Sequence, residues 1–260
     1  MFEALNIHVS LAGKEVLRGV DFRAYPGQIT AIVGPNGSGK TTLLRALTQE
    51  TAYTGSITLG GDDIAVLPGW KLAARRAVLP QASRIAFPFT VYEVVRLGLL
   101  AGAEAAQDTR VSDALARVGL GGFEGRYYQE LSGGEQQRVQ FARVLSQVWE
   151  PQGDDGPKWL ILDEPVSSLD ISHQLEVMNV LSRYAHAGGG VIAVMHDLNL
   201  TAMYADQIAV LSGGRIMKQG APRDVLTEAL LSETYGCTLP VGVAPSGDAP
   251  FILPQAASLR

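Results

Sequence analysis

The sequence predicts an α/β fold: a mostly parallel core sheet, an antiparallel β subdomain near the N-terminus and an inserted helical subdomain. Three observations predict it. Gln28 to Val33, Trp159 to Leu162 and Gly190 to Met195 are largely continuous apolar runs, the pattern of strands buried on both faces. Ala4 to Val9, Val16 to Phe22 and Ser56 to Leu59 show the partial alternation of half-exposed strands, with turn residues between them. From about Ala82 to Glu150 the pattern is largely helical, as for a subdomain set into the core.

Along the chain, Thr41 to Thr48 reads as a helix and Ala77 to Leu79 as a short strand. Val91 to Leu100, Arg110 to Val118 and Gly134 to Val148 read as helices, and Trp149 to Lys158, rich in Pro, Gly and Asp, as a surface loop. A helix over Ile171 to Tyr184, a hairpin over Gln207 to Gln219 and a last helix over Arg223 to Tyr235 follow. Cys237 to Arg260 carries four prolines and reads as an extended tail. The expected division is one domain over 1–236, with a core of 1–81 and 151–236 around a helical subdomain of about 82–150, and a C-terminal extension over 237–260.

A chain of 260 residues, 47% hydrophobic, can bury a substantial core. Its net charge of −5 gives no support to a nucleic-acid partner. The single cysteine, Cys237, cannot form an intrachain disulfide and fits a reducing compartment. The start, MFEALNIHVS, lacks the pattern of a signal peptide. No apolar run reaches the roughly 18 residues of a spanning helix; Val91 to Ala106 is interrupted by Glu93, Arg96 and Glu104. Any membrane crossing would fall to other chains.

Gly34-Pro35-Asn36-Gly37-Ser38-Gly39-Lys40-Thr41 matches the eight-position P-loop pattern, placed after a strand and before a helix as the pattern requires. The glycines let backbone N–H groups turn toward phosphate oxygens at a helix N-terminus. Lys40 can reach the β- and γ-phosphates of ATP, the Thr41 hydroxyl can ligate Mg²⁺, and Thr42 continues the nucleotide-binding set. Asp163 and Glu164 follow the strand Trp159 to Leu162, at the end where open α/β sheets bind ligands. Asp163 there can hold Mg²⁺, and Glu164 can deprotonate the attacking water. His196, ending the strand Gly190 to Met195, can donate to the γ-phosphate.

Leu131-Ser132-Gly133-Gly134-Glu135-Gln136-Gln137-Arg138 has a sound local reading: Ser132 as N-cap and Glu135 three residues on form a capping box. The segment also closely resembles the signature motif of ABC transporter ATPases. Gln81 lies where that family has its Q-loop glutamine, Asp163-Glu164-Pro165 resembles the Walker B segment, Ser167-Ser168-Leu169-Asp170 the D-loop, and His196 the switch histidine. The resemblance covers roughly Leu5 to Tyr235, with all motifs in order. It implies a P-loop NTPase core and a head-to-tail dimer with two ATP molecules between two copies. One face supplies Lys40, Thr41, Gln81, Asp163, Glu164 and His196, with Gln81 serving both catalysis and Mg²⁺. The facing copy supplies Ser132, Gly133 and Gly134, and Asp170 lies across the interface. Where the family usually stacks an aromatic residue on adenine, this sequence has Leu11.

Phe87 to Val95 is similar to the segment after the Q-loop in ATPases of iron-siderophore, vitamin B12 and haem importers. Trp149 to Lys158 and the ending Pro250-Phe251-Ile252-Leu253-Pro254 most resemble the haem-importing members. The resemblance implies a peripheral ATPase at the cytoplasmic face of the bacterial inner membrane, joined to two transmembrane permease subunits and, through them, to a periplasmic or extracellular substrate-binding protein. The alternatives are a ferric-siderophore or vitamin B12 importer and, from a different class, a non-transport ABC ATPase. That last class usually carries two ATPase units or long coiled coils, and this sequence has neither.

Overall fold

A computed structural model describes residues 1–81, 85, 87–102, 109–244 and 250–257. The N-terminal strands are β1 (Phe2–Leu11), β2 (Lys14–Ala24) and β3 (Ile29–Val33), and the P-loop leads into α1 (Lys40–Leu47). Next come β4 (Thr54–Leu59), β5 (Asp62–Asp63), α2 (Gly69–Arg75) and β6 (Arg76–Leu79). The helices α3 (Val91–Ala101), α4 (Thr109–Arg117) and α5 (Gly133–Gln147) precede a small hairpin of β7 (Gln152–Gly153) and β8 (Gly156–Pro157). The chain returns through β9 (Trp159–Asp163), α6 (Ile171–His186), β10 (Gly190–Val194) and α7 (Leu198–Tyr204). It continues with β11 (Gln207–Ser212), β12 (Arg215–Gly220), α8 (Pro222–Val225) and α9 (Glu228–Tyr235).

Among the described residues, one sheet has the order β12-β11-β3-β10-β9-β6, parallel throughout except for the edge pair β11–β12. A second, antiparallel sheet has the order β2-β1-β4-β5. The parallel sheet places the C-terminal ends of β3, β9 and β10 side by side, which is where the P-loop, Asp163 and His196 emerge. Its strands alternate between two hydrophobic masses. Ala31, Leu160, Leu162 and Ala193 pack with α3, α5 and α6, while Ile32, Ile161 and Ile192 pack with α1 and the antiparallel sheet. Gly190 has no alternative at its position: a Cβ there would lie 2.4 Å from the Trp159 ring, which packs edge-on against Phe2.

Side-chain caps set the starts of α3, α5 and α6. Thr90 with Glu93 and Ser132 with Glu135 form capping boxes at α3 and α5, and Asp170 accepts from the His173 N–H at α6. No helix among the described residues is long and apolar enough to cross a membrane.

Three expectations needed correction. The expected loop over Trp149 to Lys158 contains the β7–β8 hairpin, whose two-residue strands are too short to show alternation. The expected helix over Arg223 to Tyr235 is two helices, because Thr227 caps a fresh start by accepting from Leu230 N–H. The tail holds a 3-10 turn at Pro254–Ala256, and Gln255 Nε2 donates to Asn199 O at 3.1 Å, tying it to α7. Helices α2 and α7 went unanticipated; α7 is announced by its cap Asp197, which accepts from the N–H groups of Asn199 and Leu200. Ala82 and Glu104, used above to mark a boundary and an interruption, lie outside the described residues.

Candidate nucleotide site

The cradle forms where β3 gives way to α1. Gly34 has φ +148° and an added Cβ would sit 2.0 Å from Leu211 O, so only glycine lets the loop pass β11. Gly39, at φ +107°, caps α1 with its would-be Cβ 2.9 Å from Leu17 Cδ2. The Lys40 ammonium is buried and donates to the loop's own carbonyls, Gly34 O at 2.8 Å and Pro35 O at 3.1 Å. Burial lowers its pKa, opposed by the charges of Glu164 and Asp163. In the same loop, the Ser38 hydroxyl is buried without a hydrogen-bond partner.

Asp163 ends β9 and is 3% exposed. Burial raises its pKa; the Thr41 hydroxyl bonded to it lowers it, Glu164 raises it, and Lys40 and His196 lower it. Its Oδ1 is buried with no partner. An orphaned carboxylate oxygen next to the Thr41 hydroxyl is a hard-oxygen donor pair, and it fits Mg²⁺, which takes one or two protein ligands and completes its shell with phosphate and water.

Glu164 holds φ +54°, a strained conformation for a residue with a side chain. Its Oε1 receives Gln81 Nε2 at 3.1 Å and lies 2.5 Å from His196 Nε2. In this pairing the ring can donate from Nε2 to the carboxylate oxygen. Glu164 and His196 line a cavity of ≈ 370 Å³ together with Leu11, Val16, Asn36, Gly37, Gly39, Lys40, Thr41 and Thr42.

The structure thus brings the cradle, Gln81, Asp163, Glu164 and His196 to one place. It does not bring Ser132, Gly133, Gly134 or Asp170 into that cavity. Ser132 starts α5 with its hydroxyl 2.7 Å from Glu135 Oε2, and Gly133 lines a separate cleft with Gln81 and Gln137. Asp170 caps α6, 2.8 Å from His173 Nδ1, with its side chain mostly exposed. Three participants were missed from sequence. Val16 lines the cavity, Tyr235 faces the Gly34 N–H, and Gln137 bonds the Glu164 carbonyl. Gln137 lay inside the motif already singled out; Val16 and Tyr235 carried no signal.

The profile of the ABC transporter family matches residues 17–167. The hemin import ATP-binding protein HmuV of Jannaschia sp. (strain CCS1) is 66% identical over 257 residues, covering 99% of this chain and 95% of that protein. The protein of the same name from Mesorhizobium japonicum is 57% identical over 259 residues, covering 98% of each. Among solved structures, the dimeric post-hydrolysis state of the ATP-binding cassette MJ0796 bound to ADP and Pi superposes with a TM-score of 0.75 at 23% identity, covering 86% of this chain and 99% of that one, a likeness of fold. With more than half of the chain matched by the family profile and nearly all of it aligned to such relatives, the chain belongs to the ABC transporter family, as an ATP-hydrolysing subunit.

Proposed function

We propose that the chain powers haem import: two copies form a head-to-tail dimer at the cytoplasmic face of the inner membrane, where ATP binding and hydrolysis drive two permease subunits served by a substrate-binding protein. The observation that carries the cargo is the 66% identity, along nearly the full length, to a protein named for hemin import. The dimer is supported by the MJ0796 cassette of the same fold and by a signature segment that lies outside its own chain's cradle. A working division follows, with a core of 1–81 and 151–236, a helical unit of about 82–150 that meets the permease, and an extension over 237–260.

In this reading the ATP phosphates enter the cradle and Lys40 exchanges its loop carbonyls for phosphate oxygens. Thr41 and Asp163, with Gln81, would hold Mg²⁺, which neutralises phosphate charge when bound. Glu164 takes the proton of the attacking water, with Gln81 and His196 fixing its carboxylate. Ser132, Gly133 and Gly134 of the second copy close on the γ-phosphate, and Asp170 sits at the seam. Leu11 offers an aliphatic surface where an aromatic ring would stack on the base. The test is ATPase activity of the chain co-purified with its permease in proteoliposomes, in the presence of substrate-binding protein loaded with haem, a ferric siderophore or vitamin B12. Stimulation by haem supports the reading; stimulation by either other cargo without haem moves the chain to that transporter, and no stimulation by any cargo leaves a non-transport ATPase.

A further inference from the structure

Glu164 is the one described non-glycine residue at the site that stands in the left-handed region, at φ +54°, and something must hold it there. Its N–H donates to Val194 O at 3.2 Å, which ties it to β10. Its carbonyl receives Ser167 Oγ at 3.2 Å and, from another element altogether, Gln137 Nε2 at 3.0 Å. The same Gln137 amide reaches further. Its Oε1 accepts the Ser168 N–H at 3.3 Å. One side chain in the second turn of α5 therefore spans the residue that carries the carboxylate and the loop that follows it.

The packing around this bridge is close. A Cβ on Gly134, one turn before Gln137, would lie 3.3 Å from Ser168 O, so α5 rests directly on that loop. Arg138 anchors the next position by donating to Val118 O at 3.1 Å. Movement of the first turn of α5 consequently moves the Gln137 amide, and with it the backbone of Glu164.

The geometry points to Gln137 as a positioning residue that couples the seating of the α5 N-terminus to the orientation of the Glu164 carboxylate in the same chain. This rests on the proposed role of Glu164 as base and on the proposed closure of α5 over a phosphate of the second copy. It adds a route between the two ATP sites: the helix end that closes one site is bonded, within its own chain, to the base of the other.

The experiment compares full-length wild type with Gln137→Met, which removes both bonds at similar volume, and Gln137→Glu, which keeps an acceptor for Ser168 N–H but loses the donor to Glu164 O. Both variants are expected to lose roughly tenfold or more in kcat, with KM for ATP and ATP affinity within about twofold of wild type. In a Glu164→Gln background, Gln137→Met is expected still to form the ATP-dependent dimer. A kcat within about twofold of wild type in either variant overturns the coupling, as does a parallel loss of ATP affinity or of the dimer, which marks a merely structural role. Glu164→Gln alone separates the two readings: if it keeps its turnover, the assignment of the base fails; if it loses turnover while Gln137→Met does not, only the bridge fails.

Discussion

His196 Nε2 lies 2.5 Å from Glu164 Oε1, and the same oxygen receives Gln81 Nε2 at 3.1 Å. A side chain after β10 and another after β6 thus converge on one carboxylate oxygen from opposite sides of β9. Glu164→Gln is expected to lower kcat by about 10²–10⁴-fold while ATP still binds, so that a nucleotide-bound dimer accumulates on size-exclusion chromatography. Turnover near the wild-type rate would remove Glu164 from the role of base.

Two cradle glycines face different surroundings, and replacing each with alanine separates space from conformation. Gly34→Ala drives a Cβ to 2.0 Å from Leu211 O and is expected to destabilise by roughly 3 kcal/mol or more. Gly37, at φ +76°, has open space around its would-be Cβ, so Gly37→Ala is expected to cost only about 1–2 kcal/mol of backbone strain. Urea unfolding of the nucleotide-free chain measures both; equal losses would contradict the distinction.

Asp163 gives a stability that depends on pH. Burial holds its carboxyl above the ordinary aspartate value of 3.8. A raised pKa in the folded state means that its contribution is fully present below the unfolded value and is lost as pH rises through the folded one. At neutral pH the nucleotide-free chain therefore carries an ionised, partly unsatisfied buried carboxylate at a cost. Asp163→Asn is expected to raise Tm at pH 7.5 without nucleotide, by roughly 2–4 °C for each kcal/mol recovered, and the gain is expected to shrink toward pH 4. An unchanged or lower Tm at pH 7.5 would count against it.

Leu11 is 44% exposed at the mouth of the cradle cavity. Leu11→Tyr supplies a ring for the adenine and is expected to tighten ATP binding by about tenfold, since stacking of a base on an aromatic side chain is worth roughly 1–3 kcal/mol. Fluorescent-nucleotide titration measures this. An equal gain for inorganic triphosphate, which has no base, would show that the ring acts on something other than the base.

The parts of the fold legible in the sequence were those with a long apolar run or a fixed motif. Trp159 to Leu162 and the P-loop were readable because burial on both faces and a phosphate cradle each demand particular residues over several consecutive positions. The split at Thr227 and the β7–β8 strands were not, because one cap and two-residue strands leave no period to detect. At the site, Gln81, Asp163 and His196 could be placed from position along the chain. The Gln137 bridge could not, because its partner atoms are a backbone carbonyl and a backbone N–H, which every sequence has.

The capping box at the start of α5 has a consequence for the order of events. Glu135 stays ionised there, its carboxyl held below the ordinary range by the side chain and N–H of Ser132. The Ser132 hydroxyl is therefore already spent on an internal anion before any nucleotide arrives. In the proposed dimer, a γ-phosphate reaching Ser132 of the second copy would compete with this carboxylate for the same hydroxyl and meet its negative charge. On that proposal a diphosphate, one group shorter, would leave the hydroxyl to Glu135, so the capping box itself would tell the two nucleotides apart.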